Sequence, residues 1–382
     1  MQKILLAGLV GAGLALAGCD QSSTDTQSGD AGGAAAPAAS ADKVVQIYNW
    51  SDYIGETTLD DFTKATGIKT KYDVYDDNDV LEAKLLVGNS GYDVVVPTAQ
   101  PYLSRQIKQG LYQKLDKSKI PNIKNLDPKL MEQLASADPG NEYAVIYQWG
   151  TNGIGYNEAK IKERMPDAPT DSFAMILDPE VVKKFADCGV TMLDSATEIL
   201  PIVLNYLGKD PNSQDPADLK AAEEHMMKIR PYIKYFHSSQ YINDLANGDV
   251  CLSLGWSGDV IQAASRADEA GNGQVIDYVI PKEGTIIWFD TMAVPKDAPH
   301  PDAAFAYINF ILDPQVMAGI TNYVAYANAV TGSLEYVDDE IKNDPTIYPP
   351  PDVQKRLFVV KGTTDEFERQ RAEVWTHIRA GE

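Results

Sequence analysis

The feature that most constrains the fold is a strand–helix rhythm that starts at residue 44. Apolar β-branched runs predict strands over Val44 to Trp50, Lys69 to Tyr75 and Tyr92 to Pro97, and helical periodicity predicts helices over Thr57 to Thr66 and about Asp77 to Val87. A βαβαβ order predicts a parallel sheet covered by helices. Such sheets bind their ligands at the carboxyl ends of the strands.

The length of the chain predicts two lobes, because about 340 residues follow the N-terminal segments and one domain rarely holds so many. The stretch from Gly150 to Tyr156 (GTNGIGY) is the predicted first crossing between the lobes. Its glycines do not match the GxGxxG pattern of dinucleotide-binding turns, so no nucleotide cofactor is expected. We expect residues 44–150 and about 270–322 in lobe 1, and residues 151–269 and about 323–382 in lobe 2.

The first 43 residues have the layout of an exported, lipid-anchored protein. Residues 1–18 carry one charge, Lys3, and an apolar run too short for a membrane span, as in a signal peptide. Leu16-Ala17-Gly18-Cys19 resembles a lipobox, whose cysteine receives the lipid; an ordinary leader with an incidental cysteine is the alternative. Residues 19–43 are rich in Ser, Gly, Ala and Asp and predict a flexible tether. Asp20 resembles the signal that retains lipoproteins at the inner membrane.

The chain is acidic, with a formal net charge of -22. An acidic body disfavours nucleic acid as a partner and concentrates cationic solutes around the protein. With Cys19 assigned to lipid, Cys188 and Cys251 remain, and an even pair in an exported chain predicts one disulfide, with two buried thiols as the alternative. Neither cysteine has a histidine or second cysteine at metal-binding spacing, so no metal site is expected.

Three of the five tryptophans are followed closely by an aspartate, in Trp50-Ser51-Asp52-Tyr53, Trp256-Ser257-Gly258-Asp259 and Trp288-Phe289-Asp290. A carboxylate among aromatic rings is costly to desolvate unless a cation reaches it, and aromatic faces attract cations. A polyamine, with separated ammonium groups joined by methylenes, satisfies both groups. Taken singly, each cluster is better explained by a core tryptophan and a turn-forming or capping aspartate; their co-occurrence favours the polyamine.

Sequence patterns typical of enzymes are not found. The four histidines (His225, His237, His300 and His377) form no HExxH spacing, and neither a GxSxG elbow nor a P-loop occurs. Pairs of acids for glycoside chemistry are defined by their separation in space, which a sequence does not give. A lipid-anchored hydrolase therefore stays as an alternative from a different class.

Five segments resemble the periplasmic putrescine- and spermidine-binding proteins of polyamine ABC importers, and most of all the putrescine-type members. They are NWSDY (Asn49 to Tyr53), FHSSQYINDLANGD (Phe236 to Asp249), LGWSGD (Leu254 to Asp259), IPKEG (Ile280 to Gly284) and IYPP (Ile347 to Pro350). The resemblance implies an α/β, two-lobed periplasmic-binding-protein fold of type II, in which each lobe is a mixed sheet flanked by helices and the lobes close by hinge motion. It implies a periplasmic monomer without a cofactor that delivers a polyamine to an ABC permease. A polyamine-sensing receptor is the alternative.

Position by position, the resemblance implies a site of rings, hydroxyls and carboxylates: Trp50, Ser51, Asp52 and Tyr53 on the first ligand loop, then Thr98, Glu198, Ser238, Trp256, Asp259, Trp288, Asp290 and Tyr326. It also implies that Cys188 pairs with Cys251. Two departures bear on the length of the ligand. Trp288 stands where putrescine-type members tend to have Phe, and Gln100-Pro101-Tyr102 contains an apparent one-residue insertion. Together they favour spermidine slightly over putrescine.

Overall fold

The computed structural model describes residues 43–381. The predicted signal peptide, Cys19 and the tether up to residue 42 lie outside the described residues. Within residues 43–381, no single helix has the length and hydropathy to span a membrane. The helices Pro301–Ile311 and Pro314–Val324 meet those criteria as a pair, bent by 75°.

The first elements follow the predicted βαβαβ order. They are β1 (Val44–Trp50), α1 (Thr58–Thr66), β2 (Lys69–Tyr75), α2 (Asn78–Val87) and β3 (Val94–Val95), the last being shorter than predicted. β1 pairs in parallel with both β2 and β3. The helix ends were predictable because their signals are local: α1 ends at Gly67, and the side chain of Asp77 caps α2.

The remaining elements continue in chain order. They are α3 (Ser104–Lys108), α4 (Pro128–Leu134), β4 (Ala144–Asn157), α5 (Glu158–Arg164), α6 (Ala174–Leu177), α7 (Pro179–Val182), β5 (Val190–Met192), α8 (Ala196–Tyr206), α9 (Pro216–Ile229), β6 (Tyr235–Phe236), α10 (Gln240–Asn247), β7 (Leu252–Trp256), α11 (Ser257–Ala270), β8 (Ile276–Val279), β9 (Ile287–Ala293), α12 (Pro301–Ile311), α13 (Pro314–Val324), β10 (Ala327–Asn328), α14 (Asp339–Lys342), α15 (Pro351–Gln354) and α16 (Asp365–Ala380).

The strands form a mixed sheet in the order β2-β1-β3-β9-β4-β7-β5-β6, with β8 and β10 also paired to β4. Parallel pairing, as the βαβαβ rhythm predicts, holds among β1, β2 and β3 and again among β5, β6 and β7. The pairs that involve β4 and β9 are antiparallel. These long-range antiparallel pairs join the two parallel groups into one sheet.

Strand β4 is the central element of the sheet. Its first part, residues 144–151, pairs with β9, and its second part, residues 152–157, pairs with β7 and β8. All 14 of its residues are buried, as expected for a strand covered on both faces. The segment predicted as the first crossing, Gly150 to Tyr156, lies within this strand and contains the point where its partners change.

Candidate ligand-binding site

A cavity of about 560 Å³ opens where several strands end. Trp50 ends β1, Thr98 follows β3 and Trp256 ends β7, so the cavity lies at carboxyl ends of strands, as predicted. Among the predicted ligand residues, its lining includes Trp50, Ser51, Tyr53, Thr98, Glu198, Ser238, Trp256, Asp259, Trp288, Asp290 and Tyr326. The fold thus brings together all of the predicted side chains except Asp52.

Asp259 is a buried carboxylate in the first turn of α11, with 5% of its surface exposed. The hydroxyl of Tyr326 donates to its Oδ1 at 2.7 Å, and that of Tyr241 donates to its Oδ2 at 2.8 Å. Burial raises the pKa of Asp259 to about 7, although the two hydroxyls act in the opposite direction. A cation in the cavity would therefore stabilise the ionised form of Asp259.

Asp290 is a second buried carboxylate, on β9, and is also 5% exposed. The hydroxyl of Thr98 donates to its Oδ1 at 2.6 Å, and Asn78 Nδ2 donates to the Thr98 hydroxyl at 2.9 Å. Burial raises the pKa of Asp290 to about 7, and the charge of Glu198 acts in the same direction. Thr98 thus fixes the carboxylate without neutralising it.

Glu198 is a third carboxylate, in the first turn of α8. Its Oε1 accepts hydrogen bonds from Trp256 Nε1 at 2.8 Å and from Asn152 Nδ2 at 3.0 Å. Burial raises the pKa of this carboxyl. Its donors are neutral, so Glu198, like the two aspartates, meets no basic side chain through these bonds.

Aromatic rings form much of the cavity wall. The ring centroids of Trp50 and Trp256 are 5.6 Å apart, and Tyr326 lies 5.0 Å from Tyr53 and 5.3 Å from Trp288, all edge to face. Rings at these distances stabilise one another and present faces that attract cations. The wall suits a chain of methylenes that carries positive charge.

Two glycines give these rings their space. A Cβ at Gly150 would lie 2.7 Å from Cζ2 of Trp288, and a Cβ at Gly258 would lie 2.5 Å from the Tyr326 ring. Both distances are shorter than real Cβ contacts. Glycine at positions 150 and 258 is therefore part of how the sequence places Trp288 and Tyr326 against the cavity.

The two predicted serines, Ser51 and Ser238, line the cavity and form hydrogen bonds with residues of neighbouring loops. The hydroxyl of Ser51 donates to Asp76 Oδ1 at 2.5 Å, and that of Ser238 accepts from the backbone N–H of Asp194 at 3.2 Å. Both side chains therefore help to hold the loops that surround the cavity.

Asp52 is the one predicted ligand residue that does not line the cavity. Its Oδ1 accepts a hydrogen bond from the guanidinium of Arg266 at 2.5 Å. The backbone of Asp52 is left-handed, with φ of 54°, in the turn that follows β1. Arg266 lies 214 positions away in sequence, so no local pattern could have revealed this ion pair.

Several lining residues were not predicted. Asp77, Tyr75, Tyr102 and Lys361 all face the cavity. The sequence predicted only a helix-capping position for Asp77, which the structure also shows. Tyr102 belongs to the divergent stretch noted above, and its hydroxyl lies 3.1 Å from that of Thr197.

The predicted disulfide is present between Cys188 and Cys251, whose Cα atoms are 5.5 Å apart. It joins the start of β5 to the start of β7, two strands that are paired in the sheet. Within residues 43–381, no group of three or more His, Cys, Asp or Glu side chains is arranged to hold a metal ion.

The cavity thus lies at the strand ends of a mixed sheet and is lined by carboxylates and aromatic rings. Residues 57–349 match the family model of bacterial extracellular solute-binding proteins. The chain is 52% identical over 353 residues to the putrescine-binding periplasmic protein SpuD of Pseudomonas aeruginosa strain UCBPP-PA14, covering 92% of this chain and 96% of that protein. It is 49% identical over 345 residues to the putrescine-binding periplasmic protein PotF of Escherichia coli K12, covering 90% of this chain and 93% of that protein.

A solved structure has the same fold. The spermidine/putrescine ABC transporter substrate-binding protein PotD of Streptococcus pneumoniae superposes with a TM-score of 0.71 at 29% identity, covering 89% of this chain and 99% of that one. The chain belongs to the family of bacterial extracellular solute-binding proteins. The predicted family and the α/β periplasmic-binding-protein fold are thereby confirmed, and the protein is a binding protein, not a hydrolase.

Proposed function

We propose that this protein binds putrescine and related polyamines in the periplasm and delivers them to an ABC importer. The observation that carries the proposal is a set of three carboxylates in an aromatic cavity: the buried Asp259 and Asp290 and the half-buried Glu198. Among the described residues that line this cavity, Lys361 is the only basic one, and its side chain is exposed. The two relatives named as putrescine-binding support a diamine as the ligand.

Strand β4 sets the spacing between the ends of the site. In the sheet, Asp290 of β9 pairs with Gln148 of β4, and Trp256 of β7 pairs with Asn152 of β4. The indole N–H of Trp256 donates a hydrogen bond to Glu198. Residues an even number apart face the same side of a strand, and four residues at about 3.3 Å each span about 13 Å. One ammonium of an extended diamine would lie near Asp259 and Asp290, and the other would lie toward Glu198.

The chemistry of the site fits this arrangement. Each ammonium would donate charge-assisted hydrogen bonds to carboxylates, contributing about 1.5–3 kcal/mol per bond. The rings would cover the methylenes and add about 0.5–2 kcal/mol per cation–ring contact. Because Tyr241, Tyr326 and Thr98 already fix the carboxylates of Asp259 and Asp290, these two side chains would reorganise little on binding.

Replacement of Asp259 tests the ligand assignment. Asp259→Ala is expected to weaken putrescine binding at least tenfold, because an ammonium loses its charged acceptor. Titration calorimetry measures the affinity, and Asp268→Ala, at an exposed position of the same helix, is the matched control. An Asp259 variant that binds like the wild type would overturn the assignment of this cavity.

The choice between diamine and triamine turns on opposing observations. The relatives' names favour putrescine. Trp288 stands where the sequence resemblance expects Phe in a putrescine-type member, and its larger ring offers a longer chain more surface for stacking. Competition calorimetry with putrescine, spermidine, cadaverine and agmatine gives the ranking, and a preference for spermidine would revise the proposed principal ligand.

The strand pairing supports a division into two hinged lobes. One lobe would contain β1, β2, β3, β9, β10 and the first part of β4; the other would contain β5 to β8, the rest of β4, and α16, which packs on α8 and α9. The boundaries would then fall near residues 280 and 330. Small-angle scattering with and without putrescine tests closure, and an unchanged radius of gyration would contradict a hinge motion.

A lipid anchor at Cys19 is the second part of the proposed localisation, and it rests on the lipobox resemblance and the tether composition. Cys19→Ser is expected to move the protein from the membrane to the soluble periplasmic fraction, whereas Ser22→Ala should leave it in place. Membrane association of the serine variant would refute the anchor.

Uptake of labelled putrescine by cells that lack the gene tests delivery, and normal uptake would argue against a role in import.

A further inference from the structure

Arg105 in α3 belongs to an ion pair inside one of the two proposed lobes. Its guanidinium donates two hydrogen bonds to the carboxylate of Glu82 in α2, and the one from Nε is 2.8 Å long. The same guanidinium lies over the ring of Tyr102, with Cζ 4.8 Å from the ring centroid. Helix α2 packs on β2 and the segment of Tyr102 packs on β9, so these side chains belong to the lobe of β1, β2, β3 and β9. The two hydrogen bonds and the cation–ring contact hold them in place.

The other proposed lobe presents a second group of side chains, on α8 and α16. Glu368 accepts a hydrogen bond from Arg371, one turn later in α16. Arg371 Nη2 also donates to the hydroxyl of Thr197 in α8 at 3.4 Å. Arg371 is only 4% exposed, and Glu368 is half-buried. Because α16 packs on α8, these three side chains belong to the same lobe.

Two contacts join these groups across the boundary between the proposed lobes. The hydroxyl oxygens of Tyr102 and Thr197 are 3.1 Å apart. Arg105 Nη1 lies 3.8 Å from Glu368 Oε1. Tyr102 and Thr197 are both buried, and both line the cavity. The two contacts therefore close one side of the cavity, and separation of the lobes would break them.

These contacts can open without leaving a charge unpaired. When the lobes separate, Arg105 keeps Glu82 as its partner and Arg371 keeps Glu368. Most of the cost of breaking a buried ion pair comes from the charge that is left without a partner. Pairing within each lobe avoids this cost, as a contact that forms and breaks in every binding cycle requires.

We infer that Tyr102 and Arg105 form a clasp with Thr197 and Glu368, which holds the lobes closed on the bound ligand and slows its release. The inference rests on the proposed function, because it presupposes a polyamine between two hinged lobes. Tyr102 lies in the stretch where the sequence departs from the family resemblance, so the resemblance did not imply its contact with Thr197.

Stopped-flow fluorescence with putrescine tests the clasp, because three tryptophans line the cavity and report its occupancy. Arg105→Lys keeps a cation for Glu82, but a lysine cannot hold one carboxylate by a planar fork and reach a second. Loss of the contact with Glu368 is expected to raise the rate of putrescine release about threefold. Neither Arg105 nor Glu368 is among the described residues that line the cavity, so direct contact with the ligand would not explain this result.

Arg164→Lys is the matched control. The guanidinium of Arg164 also holds one carboxylate, that of Asp187, by two hydrogen bonds of 2.8 Å. Neither residue is among the described residues that line the cavity. The control variant should therefore release putrescine at the wild-type rate.

Tyr102→Phe is the second variant of the clasp. It removes the hydroxyl contact with Thr197 and keeps the ring beneath Arg105. Release should again be about threefold faster, because one hydrogen bond is lost. The rate of association should change little in either variant, since the ligand enters the open form, in which the clasp is not made. This variant carries the test if circular dichroism shows that Arg105→Lys does not fold.

Combination of Arg105→Lys with Glu368→Gln gives a readout that a merely structural role would not move. If the two residues act through their mutual contact, the double variant releases putrescine more slowly than the product of the two single effects. Unchanged release from both Arg105→Lys and Tyr102→Phe, equal acceleration in Arg164→Lys, or fully multiplicative effects would each overturn the clasp. Wild-type protein that does not bind putrescine would instead refute the proposed function.

Discussion

Lowering the pH from about 8 to about 5 is expected to weaken polyamine binding steeply. Asp259 and Asp290 have their pKa values raised to about 7 by burial. Below pH 7 the ligand-free protein therefore holds protons on carboxyls that the ligand requires in ionised form. Binding expels these protons, so affinity falls as the proton concentration rises.

The size of the effect follows from the pKa values. At about pH 5, two units below the pKa, ionising one carboxyl costs about 2.7 kcal/mol, since one pKa unit corresponds to about 1.36 kcal/mol. Each group then lowers the affinity about 100-fold, and both together lower it by up to about 10,000-fold if they stay ionised in the complex. Above about pH 7 the affinity should level off, because both carboxyls are ionised before the ligand arrives.

Titration calorimetry between pH 5 and 8 measures the effect, and buffers with different ionisation enthalpies count the released protons. Asp259→Asn should remove one proton from the count and flatten the pH profile, whereas Asp268→Asn should not. Constant affinity from pH 5 to 8, or net proton uptake on binding, would refute the electrostatic reasoning.

Four further outcomes are expected. Trp288→Phe should shift the ratio of affinities from spermidine toward putrescine in competition calorimetry, and equal losses for both would mean that the indole only packs. Replacing Cys188 and Cys251 by serine should lower the free energy of unfolding in urea by about 4 kcal/mol in the chain-entropy treatment, for a sequence separation of 63, and the wild type with reductant should match this variant. Gly150→Ala should weaken putrescine binding at least tenfold by displacing the indole, and unchanged affinity would contradict the close approach. Between about pH 4 and 7, the melting temperature of the ligand-free wild type should fall relative to that of the double variant Asp259→Asn, Asp290→Asn. The reason is that the two carboxyls keep their protons in the folded protein and release them in the unfolded chain. A wild-type melting temperature that rises relative to the variant over this range would contradict the prediction.

The sequence predicted the strands and helix ends that depend on neighbouring residues. The bounds of β1 and β2 agree with the structure, and α1 ends where Gly67 was expected to end it. The sequence did not predict that β9 lies between β3 and β4, because antiparallel partners far apart in the chain leave no periodic signature. Strand β3 is shorter than predicted for a similar reason: an apolar run in the sequence does not show how many of its residues form hydrogen bonds with a neighbouring strand.

The candidate site shows the same division. Trp50, Asp259 and Asp290 line the cavity as the motifs implied. Asp52 looked identical in its local pattern but is paired with Arg266, a contact that only the folded chain creates. Asp77 was predicted only as a helix cap, and it also lines the cavity. A capping pattern in a sequence does not tell what else the same carboxylate faces.

The continuous strand β4 restricts how ligand length could change during evolution. Inserting one residue between Gln148 and Asn152 would lengthen the strand by about 3.3 Å, but it would also turn every later side chain to the opposite face. The partners of β7 would then point away from the cavity. A relative with a longer or shorter preferred amine is therefore expected to keep this strand unchanged in length and to differ in the side chains around it.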